Sequence, residues 1–287
     1  WRAIEEACGI QNLVVTLPES RNDLLTEIIN HPDVALVVAT GGRKMMSHVL
    51  CSPKRVIAGG PANPVAIVDE TADLAKAAKD ISDGASFDNN IMCISEKCIV
   101  AVESIVPAFV KQLEENGVYY IDNETEMLQL TKTVLNHDMK MVRKMEGKSA
   151  MDILEEAGIH PNRPVRLVVV RTFAKHPLVL EECLMPVVPL VAVADFEEAL
   201  ETALFTEQGY RHTAMVHSQC IDRLSKAAKI MNTTVFIKNG SSLAGIGLNG
   251  EEMASFTIAN VTGEGITTAR DFACKRSCTL TSGFSLR

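Results

Sequence analysis

The stretch 86-SFDNNIMCISEKCIVAV-102 sets a polar, turn-forming run directly against an apolar one, with Cys93 near the junction. Ser86, Asp88, Asn89 and Asn90 belong to the residue types that bend backbone and populate loops. The run 98-CIVAV-102 is apolar without polar alternation, the pattern of a strand whose two faces are both covered by helices. Similar runs recur along the chain at 13-LVVTL-17, 34-VALVVA-39, 65-VAIVD-69, 166-RLVVV-170, 187-VVPLVAV-193, 213-TAMVH-217 and 234-TVFIK-238. Helical patterns lie between them, at 22–30, 43–50, 72–81, 106–117, 151–158, 196–205 and 219–231. Strand–helix alternation of this kind predicts an α/β fold with mainly parallel sheets.

Composition narrows the function classes. With 36 acidic against 28 basic residues, the formal net charge is -8, and no Lys/Arg run has the density of a nucleic-acid surface. The longest apolar stretch, 178-LVLEECLMPVVPLVAVA-194, is broken by glutamates and prolines, which argues against a membrane span. No secretory signal is read. The eight cysteines follow no repeating spacing and read as reduced thiols of a cytosolic protein.

Four motifs bear on chemistry. Cys93 is either a packing residue at a strand mouth or a nucleophile at the floor of a cleft. The second reading needs a thiolate near backbone amides or a cation, and the turn before it can aim successive N–H groups at one point. Thr40, Gly41 and Gly42 follow an apolar strand and open a helical segment, so they either cradle a phosphate or simply make the turn. The literal G-x-G-x-x-G at 245-GIGLNG-250 is separated from its strand by loop-like residues and reads as a flexible glycine loop, not a dinucleotide fingerprint. Cys274 and Cys278 have the spacing of half a zinc site but no second pair nearby, so no metal is expected.

Taken in order, 38-VATGG-42, 59-GGPANPVAIVDETADL-74, 84-GASFDNNIMCISEK-97, 181-EECLMPVVP-189, 211-RHTAMVHS-218, 238-KNGSSLAGIG-247 and 255-SFTIANVTGEGITTAR-270 resemble the CoA-acylating aldehyde dehydrogenases. The resemblance is strongest to the acetaldehyde and propionaldehyde enzymes of ethanolamine- and propanediol-utilisation microcompartments. It implies that Cys93 is the nucleophile. It also implies that Thr40, Gly41 and Gly42 contact the NAD pyrophosphate, that Gly59 and Gly60 pass beside the nicotinamide, and that Glu182 holds the nicotinamide ribose. Where hydrolytic members carry a glutamate base before a similar Gly-Gly, this chain has Ala58. Without that carboxylate a water is poorly activated, whereas a CoA thiol attacks a thioester unaided. After TGG the family usually has a small pair; here Arg43 and Lys44 follow.

The implied organisation is the C-terminal half of a Rossmann-like NAD-binding domain (1–85), an α/β catalytic domain (86–250), and a tail (251–287) whose strand at 275–281 joins subunits. The implied function is NAD-dependent, reversible oxidation of a short-chain aldehyde to acyl-CoA through an acyl thioester on Cys93. NAD is the cofactor and coenzyme A the co-substrate. The alternative is a non-catalytic fragment or partner that keeps the fold. A homodimer or homotetramer is expected, in the cytoplasm or inside a microcompartment among shell or lumen proteins. The chain is expected to begin inside the family's cofactor domain.

Overall fold

The computed structural model describes residues 2–19, 21–251, 253–279 and 281. Its strands are β1 (Leu36–Thr40), β2 (Arg55–Gly59), β3 (Val65–Val68), β4 (Cys98–Val102), β5 (Val118–Ile121), β6 (Leu167–Thr172), β7 (Val187–Val193), β8 (Thr213–His217), β9 (Val235–Lys238), β10 (Ile258–Ala259) and β11 (Gly265–Ile266). Its helices are α1 (Arg2–Cys8), α2 (Asn22–Asn30), α3 (Arg43–Leu50), α4 (Leu74–Ser86), α5 (Val106–Glu115), α6 (Glu124–Val134), α7 (Ala150–Glu156), α8 (Pro177–Leu180), α9 (Phe196–Glu207) and α10 (Ile221–Met231).

Seven strands form one parallel sheet in the order β5-β6-β7-β4-β3-β8-β9. Every residue of β3, β4 and β8 is buried, as their unbroken apolar runs predict. Alternate residues serve opposite faces. Ile99 and Ala101 join the core built with Phe109 of α5 and Ile81 of α4, whereas Cys98 and Val100 join Phe196 and Leu200 of α9 and Ala227 of α10. Helices α6 and α7 close a further core over β5 and β6. A separate two-stranded parallel pair, β1 and β2, sets Thr40 opposite Gly59 and packs on α3 through Met46 and Val49.

Several expectations are corrected. The apolar run 13–17 makes no strand; Leu13 and Val15 are 55% and 75% exposed, and no strand edge among the described residues pairs with them. The two sheets part over residues 60–64, not near 85, because β3 and α4 belong to the large sheet. Residues 82–86, beyond the helical pattern at 72–81, are the last turn of α4. The strand expected at 275–281 is irregular backbone over 275–279, with exposed side chains; residue 280 lies outside the described residues. The glycines of 245–250 are packed, since a Cβ on Gly245 would lie 2.8 Å from Val235 Cγ1 and one on Gly250 2.5 Å from the Ala244 carbonyl. No described helix is long and apolar enough to cross a membrane.

Candidate active site

The turn that carries Cys93 is shaped by asparagines. Asp88, Asn89 and Asn90 lie consecutively in the left-handed region, with φ of 47, 50 and 61°, where Asn and Asp are the best tolerated non-glycine residues. The buried Asn90 side chain pins this reversal. Its Nδ2 donates to the carbonyls of Ala85 (2.7 Å) and Glu96 (3.0 Å). Asn89 Nδ2 donates to the Gly147 carbonyl at 2.9 Å. A second turn, closed by the Ser95 amide on the Met92 carbonyl (3.2 Å), holds Cys93. The loop then joins the large sheet where the Lys97 and Cys98 amides donate to the Pro64 carbonyl at 2.9 and 3.2 Å.

Cys93 packs at the edge of the main core. Burial pushes its thiol up, and the Glu182 carboxylate pushes it further. The Lys97 charge and the backbone amides of Cys93 and Ile94 pull the other way without winning. The electropositive surroundings that a nucleophilic reading needs are therefore present, but they are outweighed. Cys98 and Cys183 are fully buried and held protonated by burial, Cys183 with a thiol pushed up to about 12. They are core thiols.

The segment Gly59–Pro64 crosses between the two sheets and draws the other candidates together. Asn63, 1% exposed, donates through Nδ2 to the Val179 and Thr206 carbonyls, both at 2.8 Å. The Ala62 amide lies 3.5 Å from Glu182 Oε2. The far side is braced by the tail. Gly60 N donates to Asn260 Oδ1 (2.8 Å), Val261 N to the Ala58 carbonyl (3.2 Å), and the Thr262 hydroxyl accepts from the Ala58 amide (2.9 Å). Gly59 has no room for a side chain, because a Cβ would stand 2.7 Å from the Ile258 carbonyl oxygen. At the end of β1, Gly41 N donates to the Gly59 carbonyl at 3.1 Å, and Gly42 caps α3 with nothing within 4 Å of where its Cβ would be.

Thr40, Gly41 and Gly42 thus lie beside Gly59 and Gly60, and the crossing leads from there to Glu182 and to the loop of Cys93. The C-terminal ends of β1 and β2 meet the N-terminal ends of β3 and β4 around this segment. A cleft of about 480 Å³ opens next to it, lined by Arg43, Met46, Pro61, Gln208, Tyr210 and Asn260 among others. Arg43 stacks over the Tyr210 ring at 4.9 Å.

An aldehyde dehydrogenase family model matches residues 1–248. The chain belongs to the aldehyde dehydrogenase family. It is 45% identical over 282 residues to a propanal dehydrogenase (CoA-propanoylating) of Salmonella typhimurium, covering 98% of this chain and 60% of that protein. Among solved structures, the Rhodopseudomonas palustris propionaldehyde dehydrogenase with bound propionyl-CoA superposes with a TM-score of 0.92 at 40% identity, over 96% of this chain and 61% of that one. The propionaldehyde dehydrogenase of the Clostridium phytofermentans fucose utilisation microcompartment gives 0.94 at 36% identity, over all of this chain and 66% of that one. The chain spans about three-fifths of the length of the curated relative that it matches.

Within this aldehyde dehydrogenase fold, motif reading passed over Asn63, Glu96, Lys97, Asn260 and Thr262. One local signal was available for two of them. Glu96 and Lys97 are a charged pair at the mouth of a strand buried along its whole length, a place where charge needs a reason.

Proposed function

We propose that this chain carries the acyl-transfer chemistry of an NAD-dependent, CoA-acylating aldehyde dehydrogenase acting reversibly on short-chain aldehydes. The observation that carries this reading is the Cys93 turn, which sets the thiol within reach of the Glu182 charge and joins the sheet at the Pro64 carbonyl, at the end of the Gly59–Pro64 crossing. The Cys93 thiolate adds to the aldehyde carbonyl and forms a carbon–sulfur bond; the carbonyl oxygen takes up a proton. Loss of hydride and that proton leaves an acyl thioester on Cys93. The CoA thiol attacks the thioester carbonyl, acyl-CoA leaves, and the Cys93 sulfur is released. A covalent intermediate splits one difficult step into two easier ones. The Cys93 amide is one oxyanion donor.

The residues present fit NAD. Gly42 leaves open space at the start of an eight-residue helix whose first N–H groups favour an anion, and Gly59 and Gly60 keep the crossing narrow. Thr40, Gly41 and Gly42 would hold the pyrophosphate, Gly59 and Gly60 would flank the nicotinamide, and Glu182 would hold its ribose. NAD, when bound, accepts the hydride. Ala58, fully buried with both backbone groups taken by the tail, offers no carboxylate to activate water. This favours CoA over hydrolysis. On the same reading the β1–β2 part, before the crossing at 60–64, belongs to the NAD-binding part and the seven-stranded sheet to the catalytic part. The protein assembles as a homodimer or homotetramer, in the cytoplasm or with shell or lumen proteins of a microcompartment.

The test is acyl-CoA formation from propanal, NAD and CoA, read by mass spectrometry together with the mass of the Cys93 peptide. Acyl-CoA that depends on CoA, with an acyl adduct on Cys93 when CoA is omitted, supports the proposal. Cys93→Ala is expected to cost more than about a thousandfold, as loss of a covalent nucleophile does. A second reading, a partner that keeps the fold without turnover, draws on the raised Cys93 thiol. It predicts neither adduct nor acyl-CoA.

A further inference from the structure

Lys97 is 2% exposed, and lysine is almost never found so deep unless it is paired. Its ammonium donates to the Asn90 carbonyl at 2.5 Å and to Asn90 Oδ1. Both acceptors are neutral. Glu96, its neighbour in sequence, is engaged elsewhere, accepting from the Ser242 amide at 2.9 Å and the Ser242 hydroxyl at 2.7 Å. No ion pair joins Lys97 to a carboxylate among the described residues. A neutral donor would close the 90–97 loop as well, so loop closure alone does not account for a charge that costs so much to bury.

The groups that feel this charge do account for it. Cys93 and Glu96 share its loop, and Glu182 and Cys183 face it from the segment after α8. We propose that Lys97 is a positioning residue for Cys93: clipped to Asn90, its ammonium closes the loop that carries the thiol and supplies the positive charge that favours the thiolate against Glu182. The thiol proton leaves to water and Lys97 keeps its own. Burial lowers Lys97 to about 8, so the charge is in place near pH 7 and fades above pH 8.

The inference rests on the reading of Cys93 as the nucleophile, but it is tested without turnover. The full chain is alkylated with iodoacetamide from pH 6 to 10 in the absence of NAD and CoA. The Cys93 peptide is followed by mass spectrometry, with the exposed Cys51 as reference. Lys97→Met and Lys97→Gln are each expected to slow Cys93 alkylation about tenfold at pH 7, where the native Lys97 is charged. Their profiles should meet the native one above pH 9, where native Lys97 is neutral too. Lys97→Gln keeps a donor for Asn90 and decides the matter if Lys97→Met fails to fold. The native profile is an independent readout. It should be broader than a single titration, because the thiol loses its helper as it ionises. An unchanged alkylation rate at pH 7 in folded variants, an equal slowing at every pH, or a simple one-proton native profile would each overturn the proposal.

Discussion

At the scale of residues, Glu182 and Lys97 pull one sulfur in opposite directions. Glu182 raises the Cys93 thiol, so Glu182→Gln should lower its midpoint and speed alkylation at pH 7 by about three- to tenfold. A slower reaction would show that the carboxylate acts on the loop's shape and not through its charge. The two glycines of the crossing differ in what they meet. A Cβ at Gly59 runs into the Ile258 carbonyl, which is fixed backbone, whereas one at Gly60 meets a Val261 methyl 2.6 Å away, which can rotate aside. Gly59→Ala should therefore destabilise by about 3 kcal/mol and Gly60→Ala by about 1 kcal/mol, compared by urea unfolding. Equal losses would mean that the tail gives way as readily as the side chain does.

At the scale of elements, α4 links the large sheet to the Cys93 turn. Asp73 caps it, accepting from the Lys76 amide at 3.1 Å, and Gly84 near its end lets the Glu96 carboxylate and the Ser242 hydroxyl approach. Asp73→Ala should cost about 1 kcal/mol in urea unfolding, because one helical amide loses its acceptor. The Cys93 alkylation profile should not move, since the cap lies at the far end of the helix; a shifted profile would show that fraying reaches the turn. The same helix shows what a sequence hides. Residues 82-SDGAS-86 have turn composition, and only the packing of Gly84 against Glu96 and Ser242 explains why helix continues through them. The buried strands were legible because helices cover both faces, leaving continuous apolar runs. Strand β5, 118-VYYI-121, was not, because an edge strand with half-exposed tyrosines lacks that pattern. The run 13–17 has the pattern and no partner edge among the described residues, so β-propensity alone did not make it a strand. In the site, Cys93 and the glycine pairs carried local signals. Asn63 and Asn260 did not, since their partners lie more than forty residues away in the chain.

At the scale of the whole molecule, buried titratable groups set how stability follows pH. His212 precedes β8 and His217 ends it, both rings are buried, and burial lowers each to about 4 from an ordinary 6.5. His217 Nε2 has no hydrogen-bond partner, so a proton placed there would be charged and unpaired. Between pH 4 and 6.5 the unfolded chain binds protons at these two positions that the folded chain refuses. Their contribution is therefore fully present above pH 6.5 and is lost as the pH falls toward 4. Glu96 acts in the opposite sense. Burial raises it to about 7, so the folded chain holds a proton that the unfolded chain releases above 4.5, and stability falls as the pH rises from there to 7. Each group is worth up to about 3 kcal/mol across its window. His176, also lowered by burial, acts with the two histidines, and Glu182 and Glu207, also raised by burial, act with Glu96. His217→Leu removes one of these titrations, so its urea midpoint should fall less, or rise more, than the native one on acidification from pH 6.5 to 4.5. A gap between the two midpoints that stays constant over that range would mean that His217 accepts its proton without cost to the fold.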